Sequence, residues 1–179
     1  MALINPVQLE SAESAVAEKL KAVQAKIGRV PNVVATLANS PAALNLYLAS
    51  SQALSAGRLT PRQREIIALT IGQLNQCHYC LSAHTMIGKG AGLSPEEIID
   101  ARKGRANDPV ENAIATLASK LVIKRGFLTT EDIAQAKSAG IDDGLIVEII
   151  ANLVHNTLTN YTNHVAQTEI DFPIVPIEI

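Results

Sequence analysis

Five times in this chain a short polar residue stands directly before a proline: Asn5-Pro6, Ser40-Pro41, Thr60-Pro61, Ser94-Pro95 and Asp108-Pro109. Each pair reads as a helix start. The polar side chain accepts a free backbone N–H, and proline at the first helical position gives up an N–H that would be unpaired anyway. Ser94 with Glu97 and Thr60 with Gln63 add capping-box spacing. Gly28, Gly57, Gly126 and Gly140 each follow an apolar run, where helices stop. Between these marks the apolar spacing is helical. Val110, Ile114, Leu117 and Leu121 draw one stripe, and Leu145, Ile149 and Leu153 draw another. No segment sustains the period-2 alternation of a half-buried strand. The expectation is an all-α, single-domain helical bundle spanning residues 1–179, with helices over about 6–27, 31–38, 41–56, 61–75, 78–90, 95–103, 109–125, 130–139 and 143–168.

A hydrophobic fraction of 47% with only 3% aromatic residues and no Trp makes the core aliphatic, which suits close-packed helices. A chain this apolar also has surface to bury against further copies of itself, so a homo-oligomer is expected. The net charge of −2 and the scattered Lys and Arg give no footprint for nucleic acid or an anionic membrane. The most apolar stretch, Gly144 to Val154, is too short to span a bilayer and contains Glu148. No charged n-region precedes an apolar h-region at the N-terminus, so the expected location is cytoplasmic. There, structural disulfides are rare and a CxxC is catalytic or metal-binding rather than a staple.

Both cysteines lie in "LNQCHYCLSAHT", residues 74–85. Two buried core thiols would leave the CxxC spacing and the histidine four residues later as accidents. A zinc site needs four ligands. Cys77, Cys80 and His84 supply three, and the fourth would have to come from His78, His155 or His164. A dithiol redox pair needs less. Asn75 is a plausible helix stop, which puts Cys77 at the N-terminus of the next helix, where the dipole favours a thiolate. Cys80 and His84, at i and i+4, share one face. If the preceding helix packs back antiparallel, Gly72 lies opposite Cys80 and Ala68 opposite His84. Glu65 then falls about 4–5 Å further along the axis, within reach of the imidazole. Nucleophile, base and orienting acid would form a relay. The plainer reading of Glu65 is a solvated first-turn acid. His155, Asn156, Asn160, Tyr161 and His164 form a polar stripe on the last helix, read first as an inter-helix or inter-subunit network and second as pocket lining.

The pattern Glu65-x11-Cys77-x-x-Cys80-x3-His84 resembles the active-site motif of the alkylhydroperoxidase D-like branch of the carboxymuconolactone decarboxylase superfamily. "VPN" at Val30–Asn32, Ser40-Pro41 and the tail from Asn156 to Pro173 resemble its peroxidase-related subfamily. The resemblance implies an all-helical domain in trimers, hexamers or larger rings. It implies a thiol-dependent peroxidase that reduces hydroperoxides with no cofactor beyond a redox-active Cys77–Cys80 disulfide. A thioredoxin-like or lipoylated dithiol protein would return the electrons. Cys80 would be the peroxidatic thiolate and Cys77 the resolving thiol, the more exposed of the two, where the reductant docks. His84 would be the base and Glu65 its partner. A non-catalytic redox sensor, or a decarboxylase-type lyase with an idle CxxC, are the alternatives. A shift of 83 positions also matches Ser55–Gly57 to Ser138–Gly140 and Glu65–Ala68 to Glu148–Ala151, which raises an internal duplication as a hypothesis.

Overall fold

Four of the five cap–proline pairs begin a helix. In the computed structural model, which describes residues 2–179, Ser40, Thr60 and Ser94 accept the N–H of Ala43, Gln63 and Glu97 respectively, and Asp108 accepts from Val110 and Glu111. Both expected capping boxes close. The described residues form nine α-helices and no strand: α1 (Ser14–Ile27), α2 (Asn32–Leu37), α3 (Pro41–Ser55), α4 (Pro61–Leu74), α5 (His78–Gly90), α6 (Pro95–Arg102), α7 (Pro109–Ile123), α8 (Thr130–Ser138) and α9 (Asp143–Ala166).

Asn5-Pro6 is the exception. The helix expected from residue 6 begins only at Ser14, after a single 3-10 turn at Leu9–Ser11. Tertiary partners override the local signal here. Leu3 N donates to Ala166 O at 2.7 Å and Val7 N to Ala35 O at 3.0 Å, so the backbone pairs with the ends of two other helices. Val7 and Leu9 meanwhile pack on the core beside Val16 and Leu20.

α4 is the axis of the fold, buried continuously from Ile66 to Gly72 and packed by α5, α6, α7 and α9. On one side Ile67 and Ile71 meet Ile114, Leu117 and Ile149. A second core, under α1, α2 and α3, includes Cys77, Tyr79 and Cys80. The two cysteines therefore start from a buried, aliphatic setting. The 83-residue echo holds where α3 and α8 end and where α4 and α9 begin, and breaks further along the chain. α4 turns back into α5 at Asn75 and Gln76, whereas α9 runs unbroken through the corresponding positions 158–159.

Gly57 is needed for space rather than for a left-handed stop. A Cβ there would lie 2.3 Å from Glu148 Oε1, because that carboxylate reaches over from α9 to accept from Arg58 N at 3.0 Å and Leu59 N at 2.9 Å. Beyond α9 the chain folds back over α5. Asp171 accepts from Arg29 Nη1 at 2.8 Å and from the Tyr79 hydroxyl at 2.7 Å, and Phe172 packs edge-on to Tyr79 under the Arg29 guanidinium.

Candidate active site

The α4–α5 hairpin has the antiparallel register the spacing suggests. Asn75 caps α4, Gln76 turns the chain in the left-handed region at φ 54°, and Cys77 N donates to Gly72 O at 2.8 Å. Cys77 is the N-cap of α5, its Sγ accepting from Cys80 N at 3.3 Å. The two cysteines, 5.2 Å apart at Cα, are joined as a disulfide. One turn on, His84 Nδ1 lies 2.7 Å from Glu65 Oε2. Glu65 is thus paired with the imidazole rather than solvated. Nδ1 donates to the carboxylate, which leaves Nε2 as the nitrogen that gives or takes a proton. Burial alone would push His84 down, but the charge and hydrogen bond of Glu65 outweigh it and hold the imidazolium above the ordinary histidine range.

Around the sulfurs, two side chains of α9 complete the site. Asn160 Nδ2 donates to Cys80 Sγ at 3.0 Å and Asn163 Nδ2 to the same atom at 3.3 Å. Asn160 Oδ1 in turn accepts from Asn75 Nδ2 at 2.8 Å. Sequence reasoning had Asn160 only as part of a polar stripe and missed Asn163. The available signal was their spacing on the buried face of an apolar helix, where an amide needs a partner.

Cys77 is fully buried, at 0% exposure, and Cys80 is at 3%. The expectation that Cys77 is the more exposed thiol is therefore corrected: serving as N-cap turns its sulfur inward beneath α5. Cys80 instead borders a cavity of about 190 Å³ that it shares with His84, Tyr47, Thr159, Asn163 and Phe172.

The other histidines stand apart. His78 Nε2 is 2.6 Å from Val175 O, on the C-terminal segment. His155 stacks on Tyr47 and bonds Ser50 Oγ through Nδ1 at 2.8 Å; burial, with the positive His84 nearby, lowers it to about 4. Tyr79 lines the cavity but belongs to the core, its hydroxyl tied to Asp171 and to Val33 N. Asn156 bonds back to Asn152 O on its own helix, and Tyr161 and His164 are exposed. Among the described residues no group of three or more His, Cys, Asp and Glu is placed to hold a metal, and no helix is long and apolar enough to cross a membrane.

Residues 41–119, from α3 into α7, match the carboxymuconolactone decarboxylase family. That segment contains Glu65, both cysteines and His84 but neither asparagine. No curated protein matches the chain. Among solved structures, an uncharacterized peroxidase-related protein from Ralstonia eutropha JMP134, an alkylhydroperoxidase AhpD core, aligns with TM-score 0.85 at 24% identity, over 95% of this chain and 92% of that one. A peroxidase-related protein from Silicibacter sp. TM1040 aligns with TM-score 0.80 at 22% identity, over 93% and 92%. The debrominase Bmp8, solved as a variant with 2,3,4-tribromopyrrole, aligns with TM-score 0.78 at 17% identity, over 94% and 91%. These likenesses show the fold. Together with the family match they support the superfamily that the motif resembles.

Proposed function

Because the helices that carry its cysteines match the carboxymuconolactone decarboxylase family and its fold is alkylhydroperoxidase D-like, we propose that this chain is a thiol-dependent peroxidase. The observation that carries the reading is Cys80, bonded to Cys77 and lining a cavity together with His84, whose Nδ1 is paired with Glu65.

In the reduced protein the Cys80 thiolate attacks the terminal oxygen of a hydroperoxide. An S–O bond forms, the O–O bond breaks, and the leaving alkoxide takes a proton from the His84 imidazolium to become an alcohol. The Cys80 sulfenic acid is then attacked by the Cys77 thiol, forming the disulfide and releasing water. A dithiol protein, thioredoxin-like or lipoylated, supplies two electrons and two protons by exchange to restore the pair. Glu65 orients His84 and favours its charged form, which is restored when the re-reduced Cys80 thiol gives up its proton to the imidazole.

The test is peroxide consumption by the protein with a dithiol reductant, followed by mass mapping of the Cys77–Cys80 bridge. Turnover that disappears in Cys80→Ser is the expected result. Stoichiometric oxidation without turnover would make the pair a sensor, and an activity indifferent to thiol blockade would make the chain a lyase.

A further inference from the structure

The two amides that meet at Cys80 Sγ differ at their other ends. Asn160 Oδ1 is occupied by Asn75, which fixes the end that Asn160 presents to the sulfur. Asn163 Oδ1 has no hydrogen-bond partner among the described residues, although Asn163 is only 5% exposed. A buried acceptor left unpaired costs about 1–3 kcal/mol, so such an atom in a native site calls for an explanation. Thr85 and Thr168 also carry an unpaired buried hydroxyl, but Asn163 alone of the three lines the cavity with Cys80. Asn163, whose Oδ1 is buried and unmet, thus lines the same cavity as the nucleophile.

We propose that Asn163 is a catalytic, substrate-orienting residue: Nδ2 holds the Cys80 sulfur, and Oδ1 accepts the hydrogen bond of an electrophile that carries a proton on the attacked atom, as the terminal O–H of a hydroperoxide does. This rests on the peroxidase reading and deepens it. One amide edge offers a donor and an acceptor side by side, so the sulfur and the incoming oxygen are set next to each other, near the roughly 3–3.5 Å separation from which attack proceeds. As the S–O bond forms and the O–O bond breaks, the electron pair leaves with the alkoxide, which is protonated by His84. The proton on the attacked oxygen stays where it is, now on the sulfenic acid and still bonded to Oδ1. An electrophile without that proton leaves Oδ1 unmet. Ile27, Met86 and Ile87 line the cavity with exposed side chains, beside Arg29, whose charge is paired with Asp171. That surface suits a small organic group on the far oxygen.

The experiment compares two electrophiles on the reduced protein in single turnovers. tert-Butyl hydroperoxide carries a proton on the attacked oxygen, and methyl methanethiosulfonate has no donor on the attacked sulfur. Asn160→Leu, which removes a donor to Cys80 and the acceptor of Asn75 but no group offered to the electrophile, is expected to slow both by a common factor. Asn163→Leu, with Asn163→Ala as the smaller alternative, is expected to slow the hydroperoxide about tenfold more than the thiosulfonate, the size of one buried hydrogen bond. A fast wild-type protein whose rate ratio stays within about twofold in both Asn163 variants overturns the proposal alone. A wild-type protein no faster toward the hydroperoxide than a free thiol at equal thiolate fraction overturns the peroxidase reading and the proposal with it. A measurement on the unmutated protein stands whether or not the variants fold. tert-Butanol should protect Cys80 from the thiosulfonate at lower concentration than tert-butyl methyl ether, and equal protection counts against the orienting role.

Discussion

A thiol at a helix N-cap and a thiol one turn inside it feel different fields, and Cys77 and Cys80 occupy those two positions. Cys77 has the helix dipole, one backbone N–H at 3.3 Å and the Asn163 amide at a longer 3.9 Å. Cys80 has two side-chain amides at 3.0 and 3.3 Å and the cavity. Only Cys80 joins a stabilised sulfur to space for a substrate, which favours it as the first nucleophile. Its proton partner is set by Glu65. Without that carboxylate, burial alone acts on His84 and its pKa falls from above the ordinary value to below it. Glu65→Gln should therefore move the alkaline limb of the rate–pH profile to lower pH and lower the rate at pH 8, while an unmoved limb would remove His84 from the proton path. The same pairing has a stability signature. With the folded pKa raised, its contribution is full below the unfolded value near 6.5 and fades as pH rises through the folded value. His155 has the opposite sign. Folded at about 4 against roughly 6.5 unfolded, it stabilises above that window and loses its contribution as pH falls through it. His155→Phe, which keeps the stack on Tyr47, should lose less Tm than the wild-type protein between pH 7 and 4.5.

Helix starts were readable because a cap and a proline act within four residues of each other, as at Ser40, Thr60, Ser94 and Asp108. Asn5-Pro6 carries the same local signal and fails because Leu3 and Val7 find partners on α9 and α2, which no window around residue 5 contains. The site divides the same way. Glu65 and His84 are placed by one tight hairpin, so counting the rise along two helices brings them together. Asn160 and Asn163 reach Cys80 across 80 and 83 residues of chain, through the docking of α9, and helical spacing cannot say which face of a distant helix meets which sulfur. Gly57 shows how an element boundary can be set from afar. Its missing side chain admits Glu148, whose carboxylate takes the first free N–H groups before α4. Gly57→Ala displaces two charge-assisted bonds and should cost about 2–3 kcal/mol in urea unfolding, against about 1 kcal/mol for removing the exposed cap in Ser94→Ala. Equal costs for the two would mean that Glu148 finds the same bonds elsewhere.

At the scale of the whole molecule, part of the apolar surface predicted from composition forms one run along α9. Val147, Ile150, Val154, Tyr161 and Val165 stand exposed along α9, and Leu46 of α3 lines a groove of about 900 Å³ with Val154, Tyr161 and Val165. Their spacing of three, four, seven and four residues keeps a single stripe in line along a helix of 24 residues, about 36 Å long. A soluble partner of different sequence would need a matching seam, whereas a second copy of this chain has one by construction. The self-complementary pairing of such a stripe is a two-fold contact, from which larger closed assemblies are built. The opposite face of α9 carries Asn160 and Asn163 to the sulfur, so an oligomer that clamps the outer face also fixes the inner one. The unmutated protein should run as a multiple of the single chain in light scattering. Val154→Glu with Leu46→Glu puts two charges into the seam and should shift it towards one chain per particle. Because the stripe lies on the face of α9 away from Cys80, that variant should keep its helical signal while thiolate reactivity at Cys80 falls only as far as α9 loosens. A wild-type protein that is monomeric at micromolar concentration, or a doubly charged variant that assembles unchanged, would mean that these residues are not the seam.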